Sequence, residues 1–138
     1  MSEEDFIHIE AKLSITLPNE YKEAILDYPF TTKFEHDVIE NSLMRSSKSV
    51  ILMNLELRKN GFFNIDWPDS FFAIGNDSAG NNYFYDLRSP EAKLYYADHD
   101  EIFDQNNLDE LIAYENIKEF IDDQLEYQED VLEEELND

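Results

Sequence analysis

The spacing of hydrophobic residues predicts two helices near the start of the chain. The first covers residues 2–13, because Ser2 can cap it and its apolar residues recur three to four positions apart, at Phe6, Ile9 and Leu13. Pro18 opens the second at the first helical position, where a missing N–H costs nothing. This helix presents Tyr21, Ile25 and Tyr28 on one face and ends before Pro29, which disfavours helix in the preceding residue.

The middle of the chain combines an ambiguous segment with a third helix. Residues 34–44 fit one strand or two short ones. Ser46 or Ser47 can then cap a helix that runs to about Asn60, with Gly61 as the left-handed residue after its end. We expect one face of this helix to carry Ile51, Leu52, Leu55 and the stem of Arg58.

Residues 71–96 have the pattern of an antiparallel meander. Three apolar and aromatic runs, at residues 71–74, 83–86 and 94–96, are separated by turns rich in Asn, Asp, Gly and Pro. Aromatic residues at strand spacing are more often core and cross-strand pairs than a ligand-stacking platform. Since strand side chains alternate, Phe84 faces away from Tyr83 and Tyr85, and the Phe84 face is the expected core.

The C-terminal third is predicted to be a loop followed by one long helix. Residues 98–115 are expected to be mostly loop, and Asn116 caps the helix with Glu119 in the capping-box position. Its inner stripe is Ile117, Phe120, Ile121, Gln124, Leu125, Gln128 and Leu132. The predicted organisation is therefore one α+β domain over residues 1–132, mainly an antiparallel sheet with N-terminal helices and a C-terminal helix packed against it. Residues 133–138 form a frayed acidic tail.

Charge narrows the possible partners. The formal net charge is −23, and residues 98–138 hold 17 acidic residues against the single basic residue Lys118. Such a field repels nucleic acid and anionic membrane and attracts basic proteins. Two interpretations remain open, a docking face for a basic partner and acidity that only maintains solubility.

Residue patterns give no support to catalysis or to a specific metal. The chain has no Cys, and Asp98, Asp100 and Asp104 fail the calcium-loop pattern because Ile102 and Phe103 fill its fifth and sixth positions. The three histidines are far apart, and neighbours such as His99 and Asp98 seldom face each other, so we expect structural or surface roles. The N-terminus lacks signal-peptide character and no apolar run approaches the length of a membrane span, so a cytoplasmic protein without cofactors is expected.

Four segments, taken in order, resemble the SUKH superfamily, which includes fungal cell-wall assembly regulators and many bacterial immunity proteins. Residues 13–23 resemble the family's entry into its second helix, and residues 72–87 its strand, polar turn and strand ending in Asp86-Leu87. Residues 94–100 resemble its aromatic strand followed by Asp98-His99-Asp100, and residues 112–121 the start of its C-terminal helix.

The resemblance implies a non-enzymatic α+β binding module. It suggests an immunity protein that neutralises a cognate toxin, often a nuclease in this superfamily, with a regulatory scaffold unrelated to toxins as the alternative. Together with the charge, it makes two segments the candidate contacts, the acidic loop and the turn before the second strand of the meander. The candidate residues are Asn76, Asp77, Asn81, Asp98, Asp100, Glu101 and Asp104, with Asp86 and the outer face of the last helix secondary.

Overall fold

The computed structural model describes residues 1–27, 43, 44, 46–77, 80–100 and 106–137, with side chains in the last helix given through Glu126 and at Asp130. The predicted strands at 34–44, apart from Leu43 and Met44, lie outside these residues, as do Tyr28, Pro29, Glu101 and Asp104. The elements are, in chain order, α1 (Glu3–Leu13), α2 (Asn19–Asp27), α3 (Ser47–Asn60), β1 (Phe71–Asn76), β2 (Asn82–Asp86), β3 (Leu94–Ala97), a 3₁₀ helix (Leu108–Leu111), β4 (Ile112–Tyr114) and α4 (Ile117–Asn137).

The starts of α1, α3 and α4 follow the capping residues that the sequence predicts, whereas α2 begins at Asn19, one residue after the predicted Pro18. Ser2 caps α1 and accepts a hydrogen bond from the Asp5 backbone N–H, while the Asp5 carboxylate accepts one from the Ser2 N–H at 2.7 Å. The Asn116 side chain accepts from the Glu119 N–H at 3.0 Å and so caps α4. The predicted inner faces of α1 and of the start of α4 are confirmed, because Phe6, Ile9, Leu13, Ile117, Phe120 and Ile121 are all buried.

The bounds of α3 are confirmed, and its predicted inner face is right at Ile51 and at the largely covered Arg58 but wrong at Leu52 and Leu55. Leu52 and Leu55 are exposed, and the buried positions are Val50, Ile51, Asn54 and Leu57. The inner stripe is thus rotated toward Asn54, whose amide meets the backbone of β1. Gly61 ends the helix with a φ of 76°, and a Cβ there would lie 2.6 Å from the Ile65 carbonyl oxygen, so glycine is required.

The four strands form one antiparallel sheet in the order β1-β2-β3-β4. The three predicted strands are antiparallel neighbours, as expected. A register shift between Ala73 and Gly75 marks a bulge in β1. The prediction that residues 98–115 are mostly loop missed the 3₁₀ helix and β4, which lie within them. A three-residue strand is too short to give a clear period-2 pattern.

The Phe84 face of the sheet is core, as expected, and the opposite face, which carries Tyr85, is buried as well. On one face Phe72, Ile74, Tyr85 and Leu94 pack with α1, α2 and the start of α4. On the other, Phe71, Phe84 and Tyr95 pack against Trp67, Phe62 and Leu57. The hydroxyl group of a tyrosine therefore did not identify the solvent-exposed face of the sheet, since a Tyr ring buries nearly as much apolar surface as a Phe ring.

Removal of the Tyr85 hydroxyl is expected to stabilise the protein. This hydroxyl is buried and has no hydrogen-bond partner in the described part of the chain. Because an unsatisfied buried hydroxyl is costly, Tyr85→Phe should raise the free energy of unfolding by about 1 kcal/mol. Denaturant unfolding measures the change. Tyr96→Phe, which loses a hydrogen bond to Asp77, should lower stability and is the control; a loss of stability in Tyr85→Phe would contradict the prediction.

Candidate functional site

Most of the predicted contact residues converge at one end of the sheet. Asn76 at the end of β1 pairs with Asn82 at the start of β2, and Asn82 pairs with Ala97 at the end of β3. Since neighbouring strands are about 5 Å apart, the segments that follow β1 and β3 and the one that precedes β2 are brought together. We call this region, comprising Asn76, Asp77, Asn81 and residues 98–100, the acidic end of the sheet.

Asp77 and Asn81 hold the turn between β1 and β2. The Asp77 N–H donates to the Asn81 carbonyl at 3.0 Å, and the Asn81 N–H donates to the Asp77 carboxylate at 3.0 Å. The Tyr96 hydroxyl also donates to this carboxylate. Burial, followed by this hydrogen bond, raises the pKa of Tyr96, so the hydroxyl keeps its proton at neutral pH. Asp77 and the buried Asn81 therefore act as positioning residues, because their polar atoms are engaged within the chain.

Asn81 also fixes the ring of His99. Its side-chain oxygen lies 2.9 Å from the His99 backbone N and 2.6 Å from His99 Nδ1. A backbone N–H can only donate, so the shared atom is the amide oxygen, and Nδ1 must carry a proton to donate to it as well. The second ring nitrogen, Nε2, then points to the Asp100 carboxylate at 3.4 Å. Sequence reasoning underestimated this contact, because we expected adjacent residues not to face each other.

Phe63 lies beside the acidic end of the sheet and was missed by sequence analysis. Its ring stacks on His99, with centroids 4.8 Å apart and planes inclined at 25°, and 56% of the residue is exposed. It occupies a tight turn closed by two hydrogen bonds between Phe62 and Ile65, in which Phe63 and Asn64 both have positive φ. The only sequence signal was Asn64, a residue that tolerates this backbone region.

The carboxylates at this end differ in their availability. Asp100 leaves 82% of its side chain exposed, whereas Asp98 accepts a hydrogen bond from the Asp100 N–H at 2.9 Å. One ligand atom from each of Asp98, His99 and Asp100 lies within 4.8 Å of the other two, so these groups could approach a shared cation. They offer two carboxylates and one imidazole, and the absence of a specific metal stays a prediction.

Asp86 does not belong to the acidic end. It pairs with Phe71 at the opposite end of the sheet, and only 10% of its side chain is exposed. Its carboxylate accepts hydrogen bonds from the Arg88 backbone N–H at 3.0 Å and from Arg88 Nε at 2.9 Å. The Arg88 guanidinium lies 5.3 Å from the Phe71 ring centroid. Asp86 thus stabilises the turn that follows β2.

A second acidic surface lies between α2 and α4. A groove of about 490 Å³ has an apolar floor and mostly acidic walls. Its floor is Ala24, Ile117, Ile121 and Leu125, and its walls include Glu20, Glu23, Asp27, Lys118 and Asp122. The outer face of α4 adds Glu119, Asp123, Glu126 and Asp130, all exposed. Apart from Ala24, the groove floor belongs to the inner stripe of α4, and the secondary role predicted for the outer face of this helix stays a prediction.

These features define a class of protein, a single α+β domain with a helix-covered antiparallel meander and an acidic face at one end. Residues 3–121 match the SUKH_6 family model, described as SMI1-KNR4 cell-wall, and the chain belongs to this family. The resemblance found in the sequence is thereby confirmed. No curated protein and no solved structure matches the chain.

Two further findings bear on the class. The SMI1-KNR4 family is not known as enzymatic. In the described part of the chain, no helix combines the length and the apolar character needed to cross a membrane.

Proposed function

We propose that this protein is a cytoplasmic immunity protein that binds a cognate basic toxin domain and blocks its activity. SUKH-family proteins are commonly immunity proteins, which supports the class. In this proposal the protein acts by binding alone, without catalysis or a cofactor. A nuclease toxin is the favoured partner, because an enzyme that binds phosphates needs a basic groove, and an acidic protein can occupy that groove.

The observation that carries the proposal is the concentration of negative charge around the C-terminal part of the chain. Residues 98–138 have a formal charge of −16, and the first 97 residues carry only −7. Asp100 is mostly exposed at the acidic end, and Glu119, Asp122, Asp123 and Glu126 are exposed on α4. Interspersed charges of both signs would suffice for solubility, whereas a one-sided acidic field also steers a basic partner.

The internal hydrogen bonds of the acidic end support a binding role. Asp77, Asn81 and Tyr96 form a connected set that holds His99 and the start of the acidic loop. A surface held in this way loses little conformational entropy when a partner binds, so more of the interaction energy appears as affinity. The same rigidity would be unnecessary for a surface that only maintains solubility.

Co-purification with the product of the adjacent gene tests the proposal. We expect a stable complex with a basic toxin domain, and loss of the toxin's activity when the two proteins are mixed. Binding without loss of activity would favour the alternative, a regulatory scaffold. No binding to a neighbouring toxin, with both proteins folded as shown by circular dichroism, would contradict the proposal.

A further inference from the structure

We propose that Phe63, His99 and Asp100 form a binding site for an arginine side chain of the partner protein. The guanidinium would stack on the exposed aromatic surface and pair with the Asp100 carboxylate. The inference rests on the proposed function only for the source of the arginine. The site itself follows from the geometry and can be tested without the toxin.

The three side chains provide the chemistry that a guanidinium group needs. Phe63 and His99 present stacked rings, and both remain accessible, with 56% of Phe63 and 28% of the His99 side chain exposed. The Asp100 carboxylate lies beside them, 3.4 Å from His99 Nε2. Arginine combines a planar cation that stacks on aromatic faces with a fork of donors for a carboxylate. Lysine offers the charge without the plane.

The surrounding residues hold this site before any ligand binds. His99 is fixed by two contacts from the Asn81 side-chain oxygen. Phe63 packs edge-on against Phe62 with centroids 4.9 Å apart. A Cβ added to Gly80 would lie 3.7 Å from the tip of the Phe63 ring, so that ring also covers the turn between β1 and β2. Binding would therefore require little side-chain ordering.

The backbone at Phe63 makes the role of this residue testable. Phe63 has a φ of 46° and Asn64 a φ of 69° in a two-residue turn. Asn and Gly are the residues favoured at such positions, and a bulky aromatic side chain is disfavoured. Asn at position 63 should therefore fold at least as well as Phe. A purely structural role for the ring predicts the opposite.

The test compares hexa-arginine and hexa-lysine peptides as probes. The dissociation constant is measured by NMR titration from the ring signals of His99, which distinguishes this site from the rest of an acidic protein. We expect hexa-arginine to bind the wild type about two- to fivefold more tightly than hexa-lysine. Phe63→Asn should abolish this preference while leaving hexa-lysine affinity nearly unchanged, and Phe63→Tyr should retain it. Leu55→Asn, at an exposed apolar position on α3, is the matched control and should change neither affinity.

Thermal unfolding of the same variants completes the test. The midpoint for Phe63→Asn should equal or exceed that of the wild type. Should this variant unfold, Phe63→Leu keeps the bulk of the side chain without its aromatic face and should also lose the arginine preference. Equal affinity of the two peptides for the wild type, or a preference that survives in Phe63→Asn and Phe63→Leu, would overturn the inference. Peptide binding as expected together with no toxin binding would instead contradict only the proposed function.

Discussion

Replacement of Asn54 by alanine is expected to lower the free energy of unfolding by about 3–5 kcal/mol. Asn54 is fully buried in α3. Its amide nitrogen donates to the Val50 and Ala73 carbonyls, both at 2.9 Å, and its oxygen accepts from the Ala73 N–H at 2.8 Å. The side chain thus pairs with both backbone groups of one residue in β1, as a neighbouring strand would. Alanine would leave both groups unpaired in the core and add a cavity.

Urea unfolding followed by Trp67 fluorescence and by circular dichroism measures this loss. Asn54→Leu separates the two contributions, because it fills the volume without restoring the hydrogen bonds, and it should still lose about 2–4 kcal/mol. Glu56→Ala, at an exposed position of the same helix, should change stability by no more than about 0.5 kcal/mol. A loss below about 1 kcal/mol for Asn54→Ala would mean that water or the backbone replaces these bonds.

Asn54 also shows where sequence reasoning reaches its limit. Both ends of α1 and α3 and the start of α4 were predictable, because capping residues and Gly61 act on their own neighbourhood in the chain. The inner face of α3 was not, because it is determined by the backbone groups that β1 leaves unpaired at the edge of the sheet. Leu52 and Leu55 suited an apolar stripe in the sequence, but Asn54 satisfies those groups and a leucine cannot.

The candidate site, too, has features that the sequence predicts and features that it does not. The turn after β1 and the segment after β3 could be assigned to one end of the sheet, because an antiparallel meander brings them together. Which carboxylates remain available could not be predicted, since Asp77 binds Asn81 and Tyr96 and Asp86 binds Arg88. Phe63 was not found, because its contact with His99 depends on how the turn after α3 packs beside the sheet.

Reversal of charge at the acidic end is expected to slow association with the basic partner by about ten- to a hundredfold at low ionic strength. The double variant Asp98→Lys/Asp100→Lys makes the net charge more positive by four in total. The substituted residues lie beside His99 and Phe63. The fold should survive, because Asp100 is exposed and, among the described residues, the Asp98 carboxylate accepts a hydrogen bond from a backbone N–H of its own loop. Stopped-flow or surface-based kinetics with the toxin domain gives the association rate constant for each variant.

The salt dependence distinguishes steering from shape. The Debye length falls from about 10 Å at 0.1 M salt to about 3 Å at 1 M, so the difference between wild type and variant should shrink as salt rises. Asp69→Lys/Glu91→Lys is the matched control, because it makes the same change of charge at exposed side chains near the opposite end of the sheet. If steering is local to the acidic end, this control should slow association much less. A rate that is independent of salt and equal in all three proteins would rule out acidic docking, and recognition would then have to rest on the shape of the meander.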